Sequence, residues 1–126
     1  MASLAITDDN FETSIRENDT VLLDFWAEWC GPCRAFAPVF ERASELHPDV
    51  VFGKVDTEAE QALAAGFRIT SIPTLVVFRQ GIIVFAQPGA LNAAQLEQVV
   101  ERAQALDMDD IRRQLADQHG PSAGAA

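Results

Sequence analysis

The run Val21-Leu22-Leu23-Asp24-Phe25-Trp26-Ala27 constrains this chain more than any other segment, because apolar side chains occupy both sets of alternating positions. Successive side chains of a strand point to opposite faces, so a run apolar on both belongs to a central strand covered by helices on each side. A three-layer α/β arrangement is therefore expected, with one acid, Asp24, inside its most buried strand. At 126 residues, 48% of them hydrophobic, the chain is of a size to close one core.

The flanking segments fit that arrangement. Thr7-Asp8-Asp9 offers capping side chains ahead of Phe11 and Ile15, an i, i+4 apolar pair that predicts a short helix to about Glu17. After the central strand, Phe36, Val39, Phe40, Ala43 and Leu46 recur at helical spacing, with Pro38 expected to kink the helix. Val50 to Val55 reads as a second strand, and Thr57 with Glu60 reads as a capping box opening a third helix that Gly66 would end. Thr74 to Phe78 and Ile82 to Phe85 are too close for a crossover helix and predict an antiparallel hairpin through Gln80-Gly81, so the sheet must be mixed. Asn92 with Gln95 caps a last long helix whose apolar face is Leu96, Val99, Val100, Ala103 and Leu106. One domain over residues 1–106 follows. Residues 107–126 form a C-terminal extension: Asp107, Asp109 and Asp110, with Ile111 and Leu115, predict a short further helix, and Gly120 to Ala126 has nothing to bury and reads as a disordered tail.

Cys30-Gly31-Pro32-Cys33 lies where the buried strand gives way to a helix, so the first thiol should face backbone N–H groups and the positive end of the helix dipole. That stabilises a thiolate. Gly31 lets the chain turn, and Pro32 fits the first helical turn because its missing N–H has no intrahelical partner there, leaving the two sulfurs near enough to bridge. The competing readings are an inert pair or a zinc half-site. Zinc normally takes four ligands, and His47 and His119 are the only histidines available to add to the two cysteines.

Trp29-Cys30-Gly31-Pro32-Cys33, the kinking Pro38 and Ile72-Pro73-Thr74 together resemble the thioredoxin family, and the likeness runs from Asp8 through Leu106. The resemblance implies a mixed five-stranded sheet flanked by four main helices. It implies that Cys30 is the exposed attacking thiol and Cys33 the buried thiol that resolves the mixed disulfide. Asp24 matches the family's buried acid, which would accept the Cys33 proton, and burial is expected to raise its pKa. Its structural alternative is an acid paired with Lys54, which matches the lysine accompanying that acid. Pro73 resembles the family's cis-proline opposite the dithiol. Ile72 would offer backbone groups to an extended client segment, with Trp29, Gly31, Pro73 and Gly89 forming an apolar surface around Cys30. Trp26, inside the buried run, reads as core. No cofactor is expected to be bound; the redox group would be the Cys30–Cys33 disulfide itself.

A net charge of −10 argues against nucleic acid and anionic membranes as partners, since both are bound through clustered Lys and Arg. The N-terminus lacks the basic, then apolar pattern of a signal peptide, and no apolar run reaches membrane length, so a cytoplasmic protein is expected. In a reducing compartment a close cysteine pair is more often catalytic or metal-binding than structural. The activity that the resemblance implies is that of a general protein-disulfide reductase, acting as a monomer on disulfide-containing client proteins and recharged by a thioredoxin-reductase-type flavoprotein. A dedicated oxidase or isomerase is disfavoured by Gly31-Pro32 and the absence of an export signal. A non-catalytic scaffold is disfavoured by the joint presence of both cysteines, Asp24 and Pro73. The chain departs from the family pattern at Pro88, which removes an N–H beside the Gly89-Ala90 turn, and in the extension after residue 106.

Overall fold

A computed structural model describes residues 2–119 of the chain. Its elements, in order, are β1 (Leu4–Ala5), α1 (Phe11–Arg16), β2 (Thr20–Trp26), α2 (Gly31–Leu46), β3 (Val51–Asp56), α3 (Gln61–Gly66), β4 (Thr74–Arg79), β5 (Ile82–Pro88), α4 (Ala93–Ala105) and α5 (Met108–His119). The strands form one five-stranded sheet in the order β1-β3-β2-β4-β5. β1 and β2 run parallel to β3, whereas β4 is antiparallel to both β2 and β5, so the sheet is mixed as expected.

β2 sits in the middle, and Val21 through Phe25 have no solvent exposure. The strand pleat divides its side chains between two cores. Leu22 joins Phe52, Leu75 and Val77 beneath Phe36 and Phe40 of α2 and Leu96 and Val100 of α4. Val21, Leu23 and Phe25 join Val76 and Phe78 on the opposite face, where Phe11, Ile15, Leu63 and Phe67 cover them. Each such side chain removed from water contributes about 1.5–3 kcal/mol before the entropy of ordering is subtracted. Gln80 and Gly81 have φ of 52° and 80°, the left-handed pair that lets a two-residue turn follow the twist of the β4–β5 hairpin.

Several local expectations are corrected by tertiary contacts. The Thr57–Glu60 capping box does not form: Thr57 donates its hydroxyl to the Trp26 carbonyl, and the Glu60 carboxylate accepts the Asp8 N–H. Helix α3 therefore starts from Glu60 without a side-chain cap. Gly66 is its last residue rather than its left-handed cap; that conformation falls to Arg68, at φ 55°. β1 was not legible as a strand, being two residues long, and it is held because Ile6 behind it is buried against Gly53 of β3. The Asn92–Gln95 capping box is present in both directions.

The extension is longer and better anchored than a single turn. Asp107 accepts the Asp110 N–H at the start of α5, and Met108 is buried. Arg112 donates to the Gln80 side-chain oxygen, and Gln80 in turn donates to Asp19. Asp19 also lies 2.9 Å from Nε of the buried Arg79, near enough for an ion pair though not aligned as a hydrogen bond. Helix α5 is thus fastened at the hairpin-turn end of the sheet, away from the cysteines at the other end of β2. The tail expected over Gly120 to Ala126 lies outside the described residues.

Gly53 is the one described glycine at which an added Cβ would meet other atoms, since it would run into the Ile6 side chain. Gly53→Ala is expected to lower stability by about 1–3 kcal/mol through displacement of Ile6 and β1. Urea unfolding measures this, and an unchanged midpoint and slope would refute the packing argument.

Candidate active site

The site is assembled where β2 ends. Thr57 ties down the Trp26 carbonyl with its N–H at 2.9 Å and its hydroxyl at 3.0 Å, and the chain then turns through Glu28 and Trp29 into α2. Arg34 reaches back to donate to the Glu28 carbonyl at 3.0 Å, closing the turn. Sequence reasoning missed both ties; Thr57 had been assigned a capping role, and a side chain reaching six residues back leaves no local pattern. Cys30 is the N-cap of α2, with Pro32 in the first turn, and its Sγ accepts the Cys33 N–H at 3.2 Å. An unpaired helix N–H and the helix dipole therefore both favour negative charge on the first sulfur.

Cys30 and Cys33 form a disulfide with Cα atoms 5.2 Å apart. Both are buried in this state, Cys30 at 4% exposure and Cys33 at 2%. The expectation of an exposed Cys30 is thus corrected for the oxidised protein, where its sulfur is bonded to Cys33 and covered on one side by the Ile72 carbonyl oxygen at 3.7 Å. Beside it, Trp29 is 67% exposed, the largest exposure among the big apolar side chains of the described residues.

The Ile72–Pro73 bond is cis, as anticipated for Pro73. The Pro73 carbonyl accepts the Gly89 N–H at 2.8 Å, and Gly89 has φ of 101°, a conformation side chains rarely adopt. Trp29 and Ile72 also line a shared cavity of about 190 Å³ with Thr57 and Thr70. Cys30, Ile72, Pro73 and Gly89 are therefore linked by direct contacts across three separate segments, and Gly31 and Trp29 adjoin them in the chain. Pro88 faces Thr74 across the hairpin. Because the next N–H, that of Gly89, points into the hairpin, the position of Pro88 is one whose N–H would have pointed out of the sheet, and its ring breaks no bond to β4.

Asp24 shares its strand face with Leu22, the face covered by α2. It is wholly buried, and neither carboxylate oxygen has a hydrogen-bond partner among the described residues. Burial pushes its pKa up to about 7, against the opposing pull of the Lys54 charge. Lys54 is its register partner on β3, yet the two form no ion pair; the ammonium instead lies 4.7 Å from the centre of the Trp26 ring. The pairing considered for these two residues is therefore one of field rather than contact. Trp26 is only half-buried, with its indole N–H enclosed and unpartnered. At the far end of α2, His47 contacts Glu97 at 2.6 Å, and among the described residues no three His, Cys, Asp or Glu side chains gather as a metal site. No helix among those residues is long and apolar enough to cross a membrane.

A family model described as thioredoxin matches residues 2–102. A protein named putative thioredoxin 2 from Streptomyces coelicolor is 53% identical over 117 residues, spanning 93% of this chain and 87% of that protein. A thioredoxin from Alicyclobacillus acidocaldarius is 40% identical over 105 residues, spanning 79% of this chain and 100% of its own length. Among solved structures, Plasmodium falciparum thioredoxin superposes with a TM-score of 0.73 at 36% identity, covering 79% of this chain and 97% of that one. A mutant thioredoxin from Halobacterium salinarum gives a TM-score of 0.77 at 33% identity, covering 85% and 98%.

The raised pKa of Asp24 has a consequence for stability. Between the ordinary value of 3.8 and about 7, the folded protein holds a proton that the unfolded chain has released, so stability falls as pH rises through that window. Above it the buried charge costs the full penalty, on the order of 4 kcal/mol at most. Asp24→Asn is expected to be more stable than the wild type at pH 8, by about 2–4 kcal/mol, with the gap closing toward pH 4. Urea unfolding of the oxidised proteins across that range checks this; a gap independent of pH would refute it.

Proposed function

The chain belongs to the thioredoxin family and carries out dithiol/disulfide exchange; from that premise we propose that it is a general protein-disulfide reductase in which Cys30 attacks, Cys33 resolves and Asp24 handles the proton. The observation that carries this reading is the Cys30 sulfur held on the Cys33 N–H at the start of α2, with a buried, unpartnered acid on the strand face beneath.

In the reduced protein the Cys30 thiolate attacks one sulfur of a client disulfide, forming a mixed disulfide and expelling the other client sulfur as a thiolate. Asp24 as carboxylate takes the Cys33 thiol proton, through a water where the two do not touch. The Cys33 thiolate then attacks the Cys30 sulfur, closing the protein's disulfide and releasing the second client thiolate. The client gains two electrons and the protein loses two. An acid with a pKa near 7 is suited to this, because it accepts and returns a proton near neutrality. Lys54, by its charge alone, keeps that value from rising further.

Client recognition is assigned to the backbone of Ile72 and to the surface of Trp29, Gly31, Pro73 and Gly89. Backbone pairing reads little sequence, which suits an enzyme of many clients. The redox group is the protein's own disulfide. Its re-reduction is assigned to a flavoprotein of the thioredoxin-reductase type, and its place of action to a reducing compartment such as the cytoplasm, with the protein working as a monomer.

With dithiothreitol as electron source, the wild type is expected to accelerate insulin reduction and Cys30→Ser to abolish that acceleration. A wild type no faster than the dithiol alone would overturn the reductase reading. Asp24→Asn is expected to keep its circular dichroism spectrum while turnover at pH 7 falls about tenfold or more. Unchanged turnover would remove Asp24 from the mechanism and leave the cysteine roles standing.

A further inference from the structure

β5 is an edge strand of the sheet, and Ile82 to Pro88 carries no charged side chain. Edge strands are ordinarily guarded by charge, a bulge or proline. Here the guards are a register shift opposite Val77/Phe78, near Val84, and Pro88 at the end. Alongside β5, against α4, runs a groove of about 330 Å³. Val84, Phe85, Leu91, Val99 and Leu106 make its apolar wall, and among the described residues Arg102 is its one charged lining residue.

Two features bear on what would fill it. Arg102 is exposed and, like Arg16, Arg34, Arg42, Lys54 and Arg68, has no carboxylate within ion-pair distance among the described residues. A cation in the last turn of α4 suits the helix dipole, but it also leaves an unneutralised charge beside an apolar wall. Two of the groove's lining residues, Gln87 and Leu91, moreover lie two positions either side of Gly89 in the chain. The Gly89 N–H in turn holds the Pro73 carbonyl beside Cys30.

We propose that this groove is a second contact site for clients, taking an extended, apolar segment of the client that ends in a carboxylate paired with Arg102. The proposal rests on the reductase reading for its purpose, though not for its binding. From Gln95 to Arg102, α4 climbs about 10 Å. An extended chain covers that distance in about three residues, and the reach of the arginine side chain allows about five. The client class is thus one with alternating apolar residues and an Asp or Glu about three to five residues beyond the point at which the segment passes Gln95. Such a site would make the reductase prefer some clients without altering the chemistry at the cysteines.

The test uses fluorescein-labelled, cysteine-free hexapeptides with valine at alternate positions, one ending in glutamate and one in lysine, titrated into the full chain and followed by anisotropy. The glutamate peptide is expected to bind saturably and more tightly. Arg102→Glu should weaken it at least about fivefold and reverse the preference toward the lysine peptide. Absence of saturable binding, or a preference that survives Arg102→Glu, would overturn the proposal. So would sedimentation showing a dimer that Arg102→Glu dissolves, since a second copy would then be the occupant. Reduction of a small aromatic disulfide, which cannot reach the groove, should proceed equally with wild type and Arg102→Glu. If neither protein turns it over while peptide binding persists, the reductase reading has failed and the groove has not.

Discussion

The burial of β2 on both faces is the constraint on which the rest depends. A strand with no solvent-facing side must be covered by helices above and below and paired along both edges, so its sequence dictates three layers. Its neighbours β3 and β4 then bring Lys54 and Leu75 into register with Asp24. Because only a short turn separates the strand from α2, the two cysteines stand at the junction of the most buried strand and a helix N-terminus.

That junction sets two opposing electrostatic environments within a few residues of each other. At the start of α2 the backbone N–H of Cys33 and the helix dipole favour an anion on the Cys30 sulfur. On the strand beneath, Asp24 has lost its water without gaining a hydrogen bond, so its anion is disfavoured. One site stabilises thiolate while the other readily holds a proton near neutrality. The field of Lys54 moderates the second without pinning it in an ion pair, because the ammonium lies over the Trp26 ring instead. An acid locked in a contact pair would stay ionised and could accept a proton only at much lower pH.

How much was legible in the sequence follows from the range of the interactions involved. The central strand, the helix α2 with Pro38 inside it, the β4–β5 hairpin and the Asn92–Gln95 cap are determined by neighbours a few residues apart, and all four are present. The Thr57–Glu60 cap looked as good in sequence as the Asn92–Gln95 one, yet Thr57 and Glu60 were taken by Trp26 and Asp8. A local motif yields when a partner distant in the chain offers its side chains a better hydrogen bond. Likewise, two residues could not announce β1, and a narrow stripe of Ile111 and Leu115 could not show that α5 is fastened through Arg112 to the hairpin turn.

The fold class, the cysteine pair at a strand-to-helix junction and the burial of an acid within the central strand are all written in the order of the residues. These rest on periodicity, residue type and spacing, which the linear chain carries in full. Only the packing of the layers set the Ile72 carbonyl against the Cys30 sulfur and the Gly89 N–H on Pro73, turned Lys54 to Trp26 rather than to Asp24, and left Arg102 without an ion pair among the described residues beside an apolar groove. Each is a contact, or the lack of one, between segments tens of residues apart. Such distances are set by how the layers pack rather than by any property of the residues taken in order.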